Sequence, residues 1–329
     1  EALRKSVVCL AAGEQTEGLD QLSMAGMINE VKSVEERHQS ITYDYLSLPP
    51  EIREKTLILS GTNLERLALT SELRAALQTE GSLGQDVFTL QSLRSRDRTA
   101  AQLKYACAYE VGDVVVPVKD YHRYGMKRRG QYRVMAKDLE HNRLTLQGSD
   151  GHSFSFDPAT CADKTTYQVQ QLSIGKGEQL RWTRNEAVKG VRNGQLVTVK
   201  EIDAEGTATL KDAQGEALTV ELSGQQYLDY ALVSTTYSSQ GKTAEQVLAD
   251  IDSTLSKEGL YVAVSRAKSN LKLYTADKQQ LYKRAQRSAA KTNPSDYLPL
   301  FKLVNPHAKN PQAADSAREL RSADQSEYV

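Results

Sequence analysis

The feature that most limits what this chain can become is a change of period in its middle. From about 87 to 222 turn signals crowd together (Gly112-Asp113, Asp150-Gly151, Asn193-Gly194, Gly206 and Gly215), with short alternating segments between them at 114–118, 132–136, 154–156 and 196–202. Strand-length alternation bounded by glycine turns predicts small antiparallel β modules. On either side the pattern is different. Ser33, Val34, Glu35 and Glu36 form a capping-box pattern ahead of Val34, His38, Ile41, Tyr45 and Leu48 at helical spacing, and Pro49 and Pro50 stop that helix. The run 56–60 (TLILS) reads as a strand buried on both faces, and Thr62 to Glu65 opens a helix with Leu69, Leu73, Ala76 and Leu77 on one side. After about 227 the α/β character returns, with strands expected at 247–251 and 271–274 and helices at 260–267 and 279–290. A β insertion interrupting a parallel α/β domain is the simplest architecture.

The expected division is 1–86 for the first part of the α/β domain, 87–172 for one inserted β subdomain and 173–224 for a second. Residues 225–290 are the return, and 291–329 a linker or tail rich in Asn, Pro, Ala and Ser. A repeat runs through the insertion. Gly130-Gln131 precedes Asp150-Gly151 as Gly194-Gln195 precedes Gln214-Gly215, and Tyr132, Leu146, Phe154 and Phe156 then fall opposite Leu196, Leu210, Leu218 and Val220. Two related β barrels in tandem explain this, and so does the two-residue period that all hairpins share.

Composition narrows the function. With 42 basic and 42 acidic residues among 329 the chain has no bulk positive charge, so any nucleic-acid contact must come from local patches. Cys9, Cys107 and Cys161 are far apart with no C-x-x-C pair, which supports neither a zinc site nor a disulfide framework and fits a reducing cytoplasm. No apolar stretch approaches the ~18–20 residues of a membrane span, so no membrane insertion is expected. The sequence starts at Glu1 inside a helical pattern, which reads as a piece of a longer polypeptide.

Gly241-Lys242-Thr243 looks like the end of a phosphate-binding loop, but the glycine required five positions earlier is Thr236. Without it the backbone N–H groups cannot wrap a phosphate, and no other segment satisfies the pattern. The chain alone is therefore not a complete nucleotide-driven motor. Two nearby segments are more specific: 234–243 (STTYSSQGKT) and 261–268 (YVAVSRAK). In this order and spacing they resemble motifs V and VI of superfamily 1 helicases, and 56–74, with Thr62, Asn63, Arg66 and Arg74, resembles the motif IV region. Residues 181–185 (RWTRN) with Asn193-Gly194 resemble the β insertion of RecD-like helicases, and 44–48 (DYLSL) resembles the helicase part of the conjugative relaxases of F-like plasmids.

The resemblance covers most of 1–290. It implies a RecA-like parallel-sheet motor domain, the second half of a superfamily 1 helicase, with inserted SH3-like β-barrel subdomains. Within that family the chain resembles the latter part of the first of two helicase-like modules, the degenerate one. By the same resemblance Arg266 stands at the vestigial arginine-finger position, and Gln240, Gly241 and Thr243 stand where relatives couple nucleotide to DNA. Tyr237 departs from the pattern, since many relatives carry histidine there. That departure separates ATP from movement, and a tyrosine can still stack on a base.

The remaining candidates each have two readings. Thr62, Asn63 and Arg66 fit phosphate contact, and Thr62 and Asn63 are equally good helix caps. Trp182 between Arg181 and Arg184 suits stacking and phosphate pairing, and also suits a core tryptophan with exposed neighbours. Arg123, Lys127, Arg128, Arg129 and Arg133 lie in the most basic stretch, interleaved with Tyr121, Tyr124 and Tyr132; they suit nucleic acid, an acidic partner or simple solvation.

The resemblance implies a non-catalytic module that binds single-stranded DNA and acts as an internal translocation signal docking to a type IV secretion coupling protein. Other domains of the same polypeptide are expected partners, and the setting is the bacterial cytoplasm with transfer to a recipient cell. No cofactor or metal is expected in this chain, ATP and magnesium belonging to active relatives. The alternative is the second motor half of an active ATP-dependent DNA helicase. A structural spacer is the third reading.

Overall fold

The computed structural model describes residues 1–251 and 255–288. The expected tail at 291–329, and the end of the helix expected at 279–290, lie outside them. The first stretch runs α1 (Ala2–Ala12), α2 (Gln15–Met24), β1 (Ile28–Glu30), α3 (Val34–Leu46), α4 (Pro50–Arg53), β2 (Thr56–Ser60) and α5 (Asn63–Glu80). The insertion supplies β3 (Phe88–Ser95), β4 (Val114–Pro117), β5 (Tyr132–Asp138), β6 (Arg143–Gln147), β7 (Ser153–Phe156) and β8 (Lys164–Ile174). It continues with β9 (Gln179–Trp182), β10 (Leu196–Ile202), β11 (Thr207–Asp212), β12 (Ala217–Glu221), β13 (Gln225–Gln226) and β14 (Leu228–Tyr230). The return is β15 (Val233–Thr235), β16 (Ala244–Asp250), α6 (Lys257–Ser265), β17 (Ala267–Thr275) and α7 (Lys278–Ala285).

The expected parallel α/β domain is present. Its sheet runs β1-β17-β16-β2-β15, with every pair parallel. Helices cover both faces, which is why its inner strands read as continuous apolar runs. One face packs Leu59, Val247 and Leu271 against Leu10, Leu19, Leu260 and Leu281 of α1, α2, α6 and α7. The other packs Ile58, Leu248 and Val233 against Ile41, Leu69 and Leu73 of α3 and α5. Capping follows the sequence. Thr62 and Glu65 close a reciprocal box at the start of α5, and Gly81 ends that helix in the left-handed conformation. At α3 the Ser33 hydroxyl accepts from Glu36 N as expected, but it bonds the carboxylate of Glu35.

The insertion leaves the parallel domain after α5 and returns just before β15. It forms a seven-stranded sheet, β13-β3-β8-β4-β5-β6-β7, and a five-stranded sheet, β12-β11-β10-β9-β14. Both are open in their strand pairing: among the described residues no ladder joins first strand to last, so pairing alone does not close the expected barrels. The repeat is present. The order β8-β4-β5-β6-β7 matches β14-β9-β10-β11-β12, and each copy carries one bulge, between Val134 and Ala136 or between Val199 and Glu201. Leu146 pairs with Phe154 as Leu210 pairs with Leu218, in the expected register. In the preceding strand the match is one residue off. Tyr132, opposite Val115, corresponds to Val197, opposite Leu180, and not to Leu196. The reason is a shorter second hairpin: Lys137 pairs with Leu144, whereas Ile202 pairs with Ala208.

Candidate nucleic-acid interface

Strands β2 and β15 are parallel neighbours, so the turns after them emerge side by side at one sheet edge. The carboxyl ends of parallel strands are where open α/β sheets bind ligands. After β2, Ser60 Oγ donates to Thr62 O at 2.9 Å, and the capped α5 begins with Asn63 exposed. After β15, Thr236 N donates to Ser60 O at 3.0 Å, which ties the two turns together. Thr235 and Ser238 then bond reciprocally, Thr235 N to Ser238 Oγ at 3.0 Å and Ser238 N to Thr235 Oγ1 at 3.2 Å. That turn presents Tyr237, which is 86% exposed. Gln240 is exposed, and Gly241 sits at φ 84° with open space where a Cβ would be. A side chain there would strain the left-handed turn and cover the backbone.

The segment then crosses to the amino end of β16. Ala244 N donates to Arg266 O at 2.9 Å, joining it to the end of α6. The Arg266 guanidinium turns back on its own surroundings: Nε donates to Val262 O at 3.2 Å, Nη1 to Lys242 O at 2.9 Å and Nη2 to Ser265 Oγ at 3.1 Å. Beside this junction is a cleft of about 710 Å³ between the parallel sheet and the five-stranded sheet, lined by Lys242, Thr243, Ser234, Lys268, Gln179 and Leu196 among others. Burial, and then the neighbouring Arg181, hold the Lys242 ammonium below the usual lysine range. Sequence reasoning passed over Lys242 because it belonged to the failed phosphate-loop pattern.

Thr62, Asn63 and Tyr237 therefore lie on the tied turns at the carboxyl end, Gln240 and Gly241 follow along the crossing segment, and Thr243 reaches the amino end of β16 beside the cleft. Arg66 and Trp182 do not join them: both are fully buried, so neither presents a surface to DNA. Arg66 Nη2 lies 3.0 Å and Arg181 Nη2 2.9 Å from the same oxygen, Asp229 Oδ2. Arg184 donates to Tyr227 Oη at 2.7 Å and lies over that ring. Farther along α5, Arg74 meets Glu178 at 2.7 Å and Asp86 at 2.7 Å. Arg66 and Arg74 fasten α5 to the insertion, while Arg181 and Arg184 pair within it. Asp229 was missed because a single carboxylate in a β segment gives no local signal of two long-range partners.

Arg123, Lys127, Arg128, Arg129 and Arg133 lie apart from this edge, on the seven-stranded sheet, and all are exposed. The structure also brings Cys9, Glu14 and Glu17 within 4.8 Å of one another, a surface grouping with both glutamates exposed. No described helix is long and apolar enough to cross a membrane.

Fold and site together define a parallel-sheet α/β domain, interrupted by a repeated β insertion, whose turns carry the segments read in sequence as resembling helicase motifs IV, V and VI. Among curated proteins the chain is similar to the multifunctional conjugation protein TraI of Escherichia coli K12, 24% identical over 254 residues. It is likewise similar to a second Escherichia coli TraI, 25% identical over 257 residues. The matches cover 74% of this chain and 14% of each TraI, so the chain spans a small part of the relatives' length. The resemblance to conjugative relaxase–helicases read from the motifs is thereby borne out, and over most of its length the chain is similar to a part of TraI. No family model matches it. Solved structures with a likeness include a Pif1 helicase pair described as unwinding forked duplex DNA, at TM-score 0.38 and 14% identity over 84% of this chain and 53% of that one. Unliganded Pif1 from Bacteroides has TM-score 0.37 and 15% identity over 94% and 55%.

Proposed function

We propose that this chain is a non-catalytic, helicase-derived module of a conjugative relaxase–helicase, which binds single-stranded DNA along the edge carrying Thr62, Asn63, Tyr237, Gln240, Gly241 and Thr243. The observation that carries the reading is the contrast within that region. Tyr237 and the Gln240-Gly241 backbone face solvent, while Arg266, the residue an active motor would extend to a phosphate, makes three hydrogen bonds within its own domain. An edge of exposed hydroxyls, amides and one aromatic suits backbone tracking and base stacking with little base specificity. On this reading the chain alone holds neither ATP nor magnesium. The insertion, a rigid scaffold presenting loops, is the face that docks to a type IV secretion coupling protein and so serves as an internal translocation signal. Its setting is the bacterial cytoplasm, with transfer to the recipient.

The test is fluorescence anisotropy of labelled oligo-dT with the full chain at two salt concentrations. Binding that weakens with salt, and weakens further in Gln240→Ala and Tyr237→Ala, supports the reading. Absence of binding at low salt refutes the DNA part. The alternative, a motor half completed by another domain, draws on the intact Arg266 position. It requires that adding the upstream domain confer DNA-stimulated ATP hydrolysis that Arg266→Ala abolishes.

A further inference from the structure

The repeat allows two copies of one loop to be compared atom by atom. In the first, between β4 and β5, Tyr121 bridges to Met126, a short 3₁₀ turn covers His122–Tyr124, and Gly125 is left-handed at φ 66°. In the second, between β9 and β10, Glu186 bridges to Val191, the 3₁₀ turn covers Ala187–Lys189, and Gly190 is left-handed at φ 69°. Arg128 N donates to Asp120 Oδ1 at 2.6 Å in the first, and Asn193 N to Asn185 Oδ1 at 2.7 Å in the second. The next residue is left-handed in both: Gly194 at φ 83° in the second loop, Arg129 at φ 64° in the first.

One scaffold thus carries two surfaces. Val188, Asn193 and Gly194 of the second loop correspond to Arg123, Arg128 and Arg129 of the first. The scaffold does not require those arginines, because the second copy folds the same way without them. At the left-handed position an arginine is the strained choice and glycine the relaxed one, so what the guanidinium reaches outside the loop has to justify it. The first loop is also stiff. Met126 is buried beneath it, and Lys127 N, Arg129 N and Gly130 N donate to Tyr132 Oη, Pro117 O and Lys127 O at 2.7, 2.9 and 2.9 Å. Among the described residues, Arg123, Lys127, Arg128 and Arg129 take part in no ion pair.

We infer that the loop of Arg123, Lys127, Arg128 and Arg129 is a preformed receptor for an acidic polypeptide segment, with the matching loop of the second repeat as its less basic counterpart: that loop keeps Arg192 at the Lys127 position, and its Lys189 pairs with Glu186 at 2.9 Å. This rests on the reading of the insertion as a docking face and names the chemistry of the partner. Planar guanidinium groups on a rigid loop match carboxylates bidentately. Single-stranded nucleic acid fits less well because the loop offers no free aromatic face. Tyr124 packs at 5.2 Å on Phe156 with its hydroxyl 3.0 Å from Thr160 Oγ1. Tyr132 packs at 5.9 Å on Phe154, and the Tyr121 hydroxyl accepts from Asp163 N at 2.9 Å.

The test uses the full chain, a short labelled peptide of alternating Glu and Ser, and labelled oligo-dT. Arg123→Val, Arg128→Asn and Arg129→Gly together copy the second loop onto the first. They are expected to weaken the peptide about tenfold or more while leaving oligo-dT affinity and Tm unchanged. Val188→Arg, Asn193→Arg and Gly194→Arg added to that variant are expected to restore peptide affinity on the second loop. The inference is overturned if the wild-type chain does not bind the peptide, if the copied loop binds it equally well, if the graft restores nothing, or if oligo-dT affinity falls as much as peptide affinity. DNA binding by the motif edge is read separately, from the effect of Tyr237→Ala on oligo-dT.

Discussion

The motif edge of the parallel sheet and the joint between α5 and the insertion are built from similar residues, yet face opposite ways. At the edge, Tyr237 and Gln240 point to solvent and bond little beyond their own turn. At the joint, Trp182 and Arg66 are fully buried and Arg181 is spent on Asp229. In sequence, Tyr237 among hydroxyl residues and Trp182 between arginines both look like stacking contacts for DNA. What separates them is a carboxylate supplied from far along the chain. Where Asp229 and Glu178 arrive, the arginine becomes a fastening; where none arrives, the polar group stays available.

The sharpest way to break this contrast is to remove the carboxylate. Asp229→Ala leaves Arg66 buried without its counter-charge, and a loss of about 3–5 kcal/mol is expected in urea unfolding. A loss under about 1 kcal/mol would mean the joint is not held this way. Next in size is the pair Tyr237→Ala and Trp182→Phe. The first should reduce oligo-dT affinity by about 1–3 kcal/mol, the usual value of a stacked base, with stability nearly unchanged. The second should leave affinity as it was, since the ring never reaches DNA.

Lys164 is a third kind of cation, buried with the carbonyls of Pro158 and Cys161 as its hydrogen-bond partners among the described residues, and burial lowers it to about 8. Because the unfolded chain keeps the ordinary value of 10.5, the unfolded state binds more protons between the two, and stability should rise with pH from about 8 to 10.5. Lys164→Met should flatten that rise, by an amount on the order of 1–2 kcal/mol across the window. A wild-type and variant difference that does not change with pH would contradict it. The smallest effect is expected at the α5 cap, where Thr62→Ala should cost about 1 kcal/mol. If oligo-dT affinity falls as well, Thr62 contacts DNA in addition to capping.

Much of the fold was legible because it is encoded locally. The expected strand 196–202 is β10 to the residue, the Thr62–Glu65 box forms, and the shift to two-residue alternation marks the insertion. The motif turns were legible for the same reason, since each is a contiguous run. The clamps were not, because Arg66, Arg181 and Asp229 meet only through tertiary packing. The first strand of the repeat was misaligned because a one-residue difference in hairpin length does not disturb a two-residue period. Arg129 was counted only as a charge; that it occupies a glycine's conformation emerges once the two loops are superposed by pairing.

The most direct test of the central contrast is hydrogen–deuterium exchange on the full chain with and without oligo-dT. Protection is expected at 236–243 and 60–65, with no change at 180–184. Protection centred on 180–195 with the motif edge unaffected would contradict the account, placing DNA on the insertion.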